Sequence, residues 1–198
     1  MLSFDEVAIT PHPSRPAVEN SYNPSSTDSE LLAVVDESDR VIGTATRKEI
    51  HAQGLRHRAV HIVVLNAEGY LLLQKRSAQK DLFPGWWDIS VGGHVDAGEE
   101  YDAAVARELR EEMGIVAPAK WVGTAEPGET TGWEFQRIYE CRYDGELTPC
   151  ADEVSGIRWE SLETILYGMG PDWDHPETSI TPAGLNSIRI WARGTGRL

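Results

Sequence analysis

Glu108, Glu111 and Glu112 stand three and four residues apart in the run ARELREEMGI. On a helix, residues at that spacing are neighbours, so the three carboxylates project together. Like charges so placed cost roughly 0.2–0.5 kcal/mol per pair. A hard divalent cation with oxygen ligands offsets that repulsion. Glu99 and Glu100 precede the helix, and Gly92 and Gly93 come just before them. Glycines there let the backbone pass close to a metal or ligand, where a Cβ would obstruct. A divalent cation so held, Mg²⁺ or Mn²⁺, can neutralise charge on an anionic ligand and activate an attacking water. The plain alternative is a surface helix with a solvated acidic face.

Something must hold this helix and its glycine turn in place. Tyr101, Val105, Leu109 and Met113 recur every four residues and predict a buried stripe on a helix from about Glu99 to Met113. Gly114 is placed to cap its end. Upstream, LLAVV and VIGTA flank the polar turn DESDR and read as two strands. TRKEIHAQGL reads as a short helix or an irregular crossover ending at Gly54. Val60–Leu65 and Tyr70–Lys75 flank NAEG and predict a hairpin. Trp86–Val91 predicts a strand that feeds the glycine turn directly. Ala119–Gly123, Phe135–Tyr143 and Gly156–Trp159 predict further strands, and Thr181-Pro182 opens a last helix to about Ala192. Strands around one central helix, with another at the end, predict an α/β sandwich with a mixed sheet.

Residues 1–29, with Pro11, Pro13, Pro16 and Pro24 among Ser, Asn and Thr, predict a flexible arm before one domain over 30–198. The formal charge of -14 argues against bulk nucleic-acid binding, which Lys and Arg drive. It leaves phosphorylated small molecules open, because a bound divalent metal inverts the local sign. No apolar stretch approaches a membrane span, and the N-terminus lacks the pattern of a secretory signal. Cys141 and Cys150 are too few for a disulfide framework or a zinc site. A cytoplasmic location with reduced thiols is the expectation.

The residues Gly93, Glu99, Arg107, Glu108, Leu109, Glu111, Glu112, Gly114 and Ile115 match, position for position, the motif G-x5-E-x7-R-E-U-x-E-E-x-G-U of the Nudix hydrolase family. The resemblance implies an α/β/α sandwich with the motif as loop, helix and loop. It implies metal ligation by Glu108, Glu112 and Glu111, with Gly93 beside the metal. Arg107 is expected on a different face from these three, pairing with Glu99 as an architectural support. The general base stays open between Glu108, Glu111 and a later glutamate, Glu134 or Glu153. A substrate pocket is expected near Trp86 and Trp87, with Lys75, Arg76 and Lys80 close by and Arg76 the favoured phosphate contact. Adjacent strand residues point to opposite faces, so one of the two tryptophans belongs to the core.

Residues 31–115 also resemble the Nudix branch related to type I isopentenyl-diphosphate isomerase. That likeness raises isomerisation of a prenyl diphosphate as an alternative. Against it, the isomerase needs a cysteine where this chain has Gly92, and its later pair of glutamates falls on Glu134 and Gln136. The isomerase also binds a metal through histidines, which His51, His57 and His94 resemble. His94, beside the glycine turn, is the one expected to face the site; His57 and His61 flank a strand and suit a core. A second metal site and a substrate-contacting role for Glu134 follow as expectations. Some Nudix domains are ligand-binding or regulatory modules, but these usually lose motif glutamates, and all are present here. The expected function is Mg²⁺-dependent cleavage of a small diphosphate metabolite. The family likeness also makes a homodimer one candidate assembly.

Overall fold

The computed structural model describes residues 29–80, 82–172 and 175–198. The expected arm lies, but for residue 29, outside the described residues. One hydrogen-bonded network joins nine strands: β1 (Leu31–Val35), β2 (Val41–Thr46), β3 (His57–Leu65), β4 (Leu71–Arg76), β5 (Trp87–Asp88), β6 (Val91–His94), β7 (Ala119–Ala125), β8 (Glu134–Arg142) and β9 (Val154–Glu160). The helices are α1 (Arg47–Gln53), α2 (Tyr101–Met113), α3 (Leu162–Gly168) and α4 (Pro182–Gly194). The expected mixed α/β sandwich is what forms.

The backbone alternation of β3 creates the layers. Val60, Ile62 and Val64 face one way and meet Tyr101, Val105, Leu109 and Met113 of α2. Val63 and Leu65 face the other way and meet Ile165 of α3 and Leu185, Ile188 and Trp191 of α4. The four-residue stripe therefore buries α2 as expected, and Gly114 caps it at φ 70°. The final helix starts as expected, with Thr181 Oγ1 accepting from Gly184 N at 3.0 Å. Helix α3 carries no prominent apolar period; Ser161 caps it, and Ile165 is its buried anchor.

Two expectations are corrected. The predicted hairpin has its turn, but β3 and β4 pair only at Leu65–Leu71. Beyond that point they splay: β3 runs parallel to β8 along its whole length and antiparallel to β6, while β4 pairs with β5 and β9. The predicted single strand Trp86–Val91 is likewise two short strands, β5 on β4 and β6 on β3. Ser90 lies at the crossing. Its hydroxyl donates to Leu72 O at 2.6 Å and accepts from Val64 N at 2.8 Å, so it replaces the ladder bonds that the splay removes.

Candidate metal and substrate site

Strand β6 lies between two clusters of ligating side chains. By antiparallel alternation, successive residues turn their N–H and C=O toward the partner strand and then away. Val95 N donates to Arg58 O of β3, Gly92 N donates to Glu112 Oε2 at 3.3 Å, and His94 O accepts from Arg107 at 2.9 Å. Gly92 and His94 therefore turn their main-chain groups outward, and those of Gly93 face β3. Gly93 serves by lacking a side chain: a Cβ there would overlap the Glu108 carboxylate.

On the α2 side, Glu108 and Glu112 are buried and Glu111 is exposed. Burial, reinforced by Glu108, pushes Glu112 up to about 8. Gln74 also donates to Glu112 Oε2, at 3.1 Å. Burial raises Glu108 too, against the pull of Arg107. Carboxylates that are hidden from water and crowded together suit a divalent cation, which would supply the missing positive charge.

Arg107 makes the expected pair with Glu99, and the structure shows it to be bidentate, Nε to Oε1 at 3.0 Å and Nη2 to Oε2 at 2.8 Å. Its expected separation from the acidic face is corrected. Nη1 reaches Glu108 at 2.6 Å and Glu111 at 3.3 Å, because a long side chain spans the turn that the Cα positions separate. Arg107 thus ties the glycine loop, the early glutamate and two motif carboxylates together.

The other side of β6 carries the histidines. The parallel pairing sets His57 opposite Glu134, and the β3–β6 pairing sets Ala59 opposite His94. Helix α1, closed by Gly54 at φ 62°, brings in His51. The three rings lie 5.1–5.4 Å apart between centroids, with ligand atoms all within 4.8 Å of one another. Glu134 Oε1 is 3.3 Å from His94 Nε2 and 3.6 Å from His57 Nε2. His57 Nδ1 lies 2.9 Å from Leu55 O, and a carbonyl only accepts, so Nδ1 carries the proton. In the neutral ring Nε2 is then a lone pair facing a carboxylate, and it is buried without a hydrogen-bond partner. Two acceptors aimed at each other are reconciled by a proton on Nε2 or by a metal cation between them. A histidine that donates its other N–H to a backbone carbonyl is the usual arrangement of a metal ligand.

Charge states agree with that reading. Burial, helped by His94 and His57, lowers His51 to about 4, and burial lowers His94. Burial alone would raise Glu134, but positive charge at His57 and His94 outweighs it and holds its carboxyl well below the usual range, and a bound cation would take that part beside neutral rings. Neutral imidazoles and an ionised carboxylate are what a metal requires of its ligands. Gln136, where the isomerase pattern has a second glutamate, donates to Glu134 Oε2 at 2.7 Å, and its buried Oε1 has no partner.

The remaining candidates divide. Trp86 is 3% exposed and belongs to the core. Trp87 donates through Nε1 to Glu177 O, with Arg158 over its ring at 4.2 Å and Lys75 at 5.7 Å, so a base stacking on it has cations to displace. Arg76 is bound to Asp88 at 3.1 Å and Leu82 O at 3.0 Å. Lys80 pairs with Glu153 and is near enough to feel the charges of Glu112 and Glu108. Two participants escaped sequence reading. Glu30, next to the proline-rich arm, is 4.0 Å from His94 Nδ1, and burial together with Asp96 raises it to about 7. Ser187 of α4 lies 2.7 Å from His61 Nδ1. An isolated serine in an amphipathic helix gives no signal in one sequence.

The family model described as NUDIX domain matches residues 55–180. An uncharacterized Nudix hydrolase of Pseudomonas aeruginosa is 45% identical over 146 residues, 72% of this chain and 85% of that protein. An isopentenyl-diphosphate Delta-isomerase 2 of Photorhabdus laumondii is 39% identical over 150 residues, with the same two coverages. The crystal structure of a Deinococcus radiodurans protein superposes with a TM-score of 0.69 at 30% identity, covering 82% of this chain and 99% of that one.

Proposed function

The chain belongs to the Nudix family, and from that premise we propose that it is a divalent-metal-dependent hydrolase of a diphosphate linkage in a small phosphorylated metabolite. The observation that carries this reading is the joint burial of Glu108 and Glu112 against Gly93 and the outward-facing main chain of Gly92. Glu108, Glu112 and the exposed Glu111 would hold Mg²⁺ or Mn²⁺, with the Gly92 carbonyl, not that of Gly93, turned toward it. Bound there, the metal supplies charge neutralisation at phosphate and a water of lowered pKa. Arg107 keeps the carboxylates and the loop in register, and Lys80 adds positive charge at the phosphate side. Glu108, Glu111 or Glu153, the last paired with Lys80, would take the proton from water. Glu134 belongs instead to the histidine cluster.

His51, His57, His94 and Glu134 would hold a second, nitrogen-preferring metal such as Zn²⁺. This cluster favours a second reading, isomerisation of a prenyl diphosphate, since the isomerase likeness implies those histidines. Gly92 weighs against it, because no thiol stands at that position, and Cys141 is buried in the core under α2. A Mg²⁺-dependent screen of nucleoside, sugar and prenyl diphosphates, with phosphate release and double-bond migration read in parallel, separates the two. Phosphate or nucleotide release is the expected result. Isomerised product without release would overturn hydrolysis.

A further inference from the structure

His61 lies on the histidine side of β3, directly opposite Gly92 on β6. By the alternation described above this is a non-hydrogen-bonded pair, the kind whose side chains come closest. A Cβ on Gly92 would sit 3.4 Å from His61 Cδ2 and 3.6 Å from Nε2, so that ring edge faces the gap the glycine leaves. The opposite ring nitrogen, Nδ1, lies 2.7 Å from Ser187 Oγ in a buried contact between sheet and α4.

The direction of that hydrogen bond follows from counting protons. Ser187 is fully buried, and among the described residues His61 is the partner its hydroxyl is given. If Nδ1–H donated to Ser187, the serine proton would be left buried and unpaired, a costly arrangement. If Ser187 donates to Nδ1, its proton is satisfied, and the imidazole proton moves to Nε2. Burial holds the ring below its ordinary pKa, against the opposite pull of Glu134 and Asp88.

We propose that His61 is a substrate-contacting residue, whose Nε2–H donates a hydrogen bond across Gly92 to an oxygen of the bound diphosphate. Gly92 is the residue that both sides share. Its N–H meets the Glu112 carboxylate, and its empty side-chain position opens onto His61. A diphosphate held at the outward edge of Gly92 therefore brings an anionic oxygen within reach of that donor. A neutral donor suits the place: it stabilises charge that builds on oxygen without competing for the metal-binding carboxylates. Ser187 is the positioning residue that selects the tautomer. The inference rests on the proposed diphosphate chemistry, and the test separates the two.

The experiment is imidazole and amide ¹H–¹⁵N NMR of the full chain, titrated with Mg²⁺ and the non-hydrolysable probe imidodiphosphate. The free protein is expected to show His61 as the Nε2–H tautomer. Saturation should shift both the Gly92 amide and His61 Nε2. A shifted Gly92 amide with an unmoved His61 Nε2 overturns the inference and leaves the diphosphate reading standing. Neither signal moving overturns both. Ser187→Ala should mix the tautomers while the Gly92 amide still responds. Gly92→Ala fits sterically, at ordinary contact distances, yet covers Nε2, so the His61 shift should vanish. On a substrate found in the screen, His61→Leu should lower kcat/KM by roughly tenfold or more, and His61→Gln should recover part of it. Equal kcat/KM in wild type and His61→Leu would overturn the role.

Discussion

The carboxylate of Glu108 occupies the space that a Cβ of Gly93 would fill. Gly93 does not take up a positive φ, so this glycine is required for a neighbour's sake. Alanine there would meet the free end of a flexible side chain, which can swing away. Gly93→Ala should therefore cost about 1 kcal/mol of stability, the low end of overpacking effects. It should nonetheless remove most metal-dependent turnover, because the displaced group is a proposed ligand. Thermal unfolding beside a Mg²⁺ titration checks both halves. A destabilised variant with full activity would contradict the account.

Glu112→Gln should leave the fold intact and lower turnover by roughly a hundredfold or more, the scale of losing a preorganised electrostatic contact. The same residue sets a pH dependence. Its folded value of about 8 exceeds the ordinary 4.5, so metal must displace a proton. Metal affinity should rise as pH climbs toward about 8 and level off above it. In the metal-free protein the sign is opposite: the folded state holds a proton that the unfolded chain has lost, so stability falls between pH 4.5 and about 8. Calorimetry in buffers of different ionisation enthalpy reads the proton release.

Glu99 carries the reverse linkage. Burial works to raise it, but Arg107 and the Asp96 N–H outweigh burial and leave it below its ordinary 4.5. A lowered carboxyl contributes stability above its unfolded pKa, and that contribution is lost as pH falls through the folded value. Glu99→Gln should cost roughly 1–3 kcal/mol near neutrality, the range for a charged hydrogen-bonded pair. Denaturation midpoints of variant and wild type should converge in acid.

Metal analysis of purified protein tests the histidine cluster. His94→Ala should lose about one equivalent of a transition metal per chain while Mg²⁺ binding at the glutamates persists. Equal metal content in both proteins would remove the second centre.

Ser90→Ala addresses the frame. Val64 N and Leu72 O would lose their partner in the interior, at about 1–3 kcal/mol for each buried group left unsatisfied. Urea unfolding gives the cost, which should exceed that of an exposed serine such as Ser155.

Much of this molecule is legible in the chain because its signals are local. The α2 stripe, the Gly114 cap, the Thr181-Pro182 start and the carboxylate spacing all depend on periodicity or on one residue's backbone preference. The misreadings share one cause. Val60–Leu65 and Tyr70–Lys75 look like a hairpin because the turn is local, whereas their splaying is decided by β6, β8 and β9. Trp86–Val91 looks like one strand, since nothing in its composition announces that it changes partner at Ser90. Arg107 is assigned to another face by Cα position, yet its guanidinium travels far enough to join Glu99, Glu108 and Glu111.

The sequence by itself determined the family and the fold class, and placed three carboxylates on one helical face, because helical spacing and glycine conformation are properties of a few neighbouring residues. Only the tertiary structure decided that His51, His57, His94 and Glu134 converge, that Gly92 turns its main chain outward, and that Ser187 meets His61. Those relations depend on strand register and on which helix packs on which face. They join residues up to 126 positions apart, and no local preference along the chain carries that information.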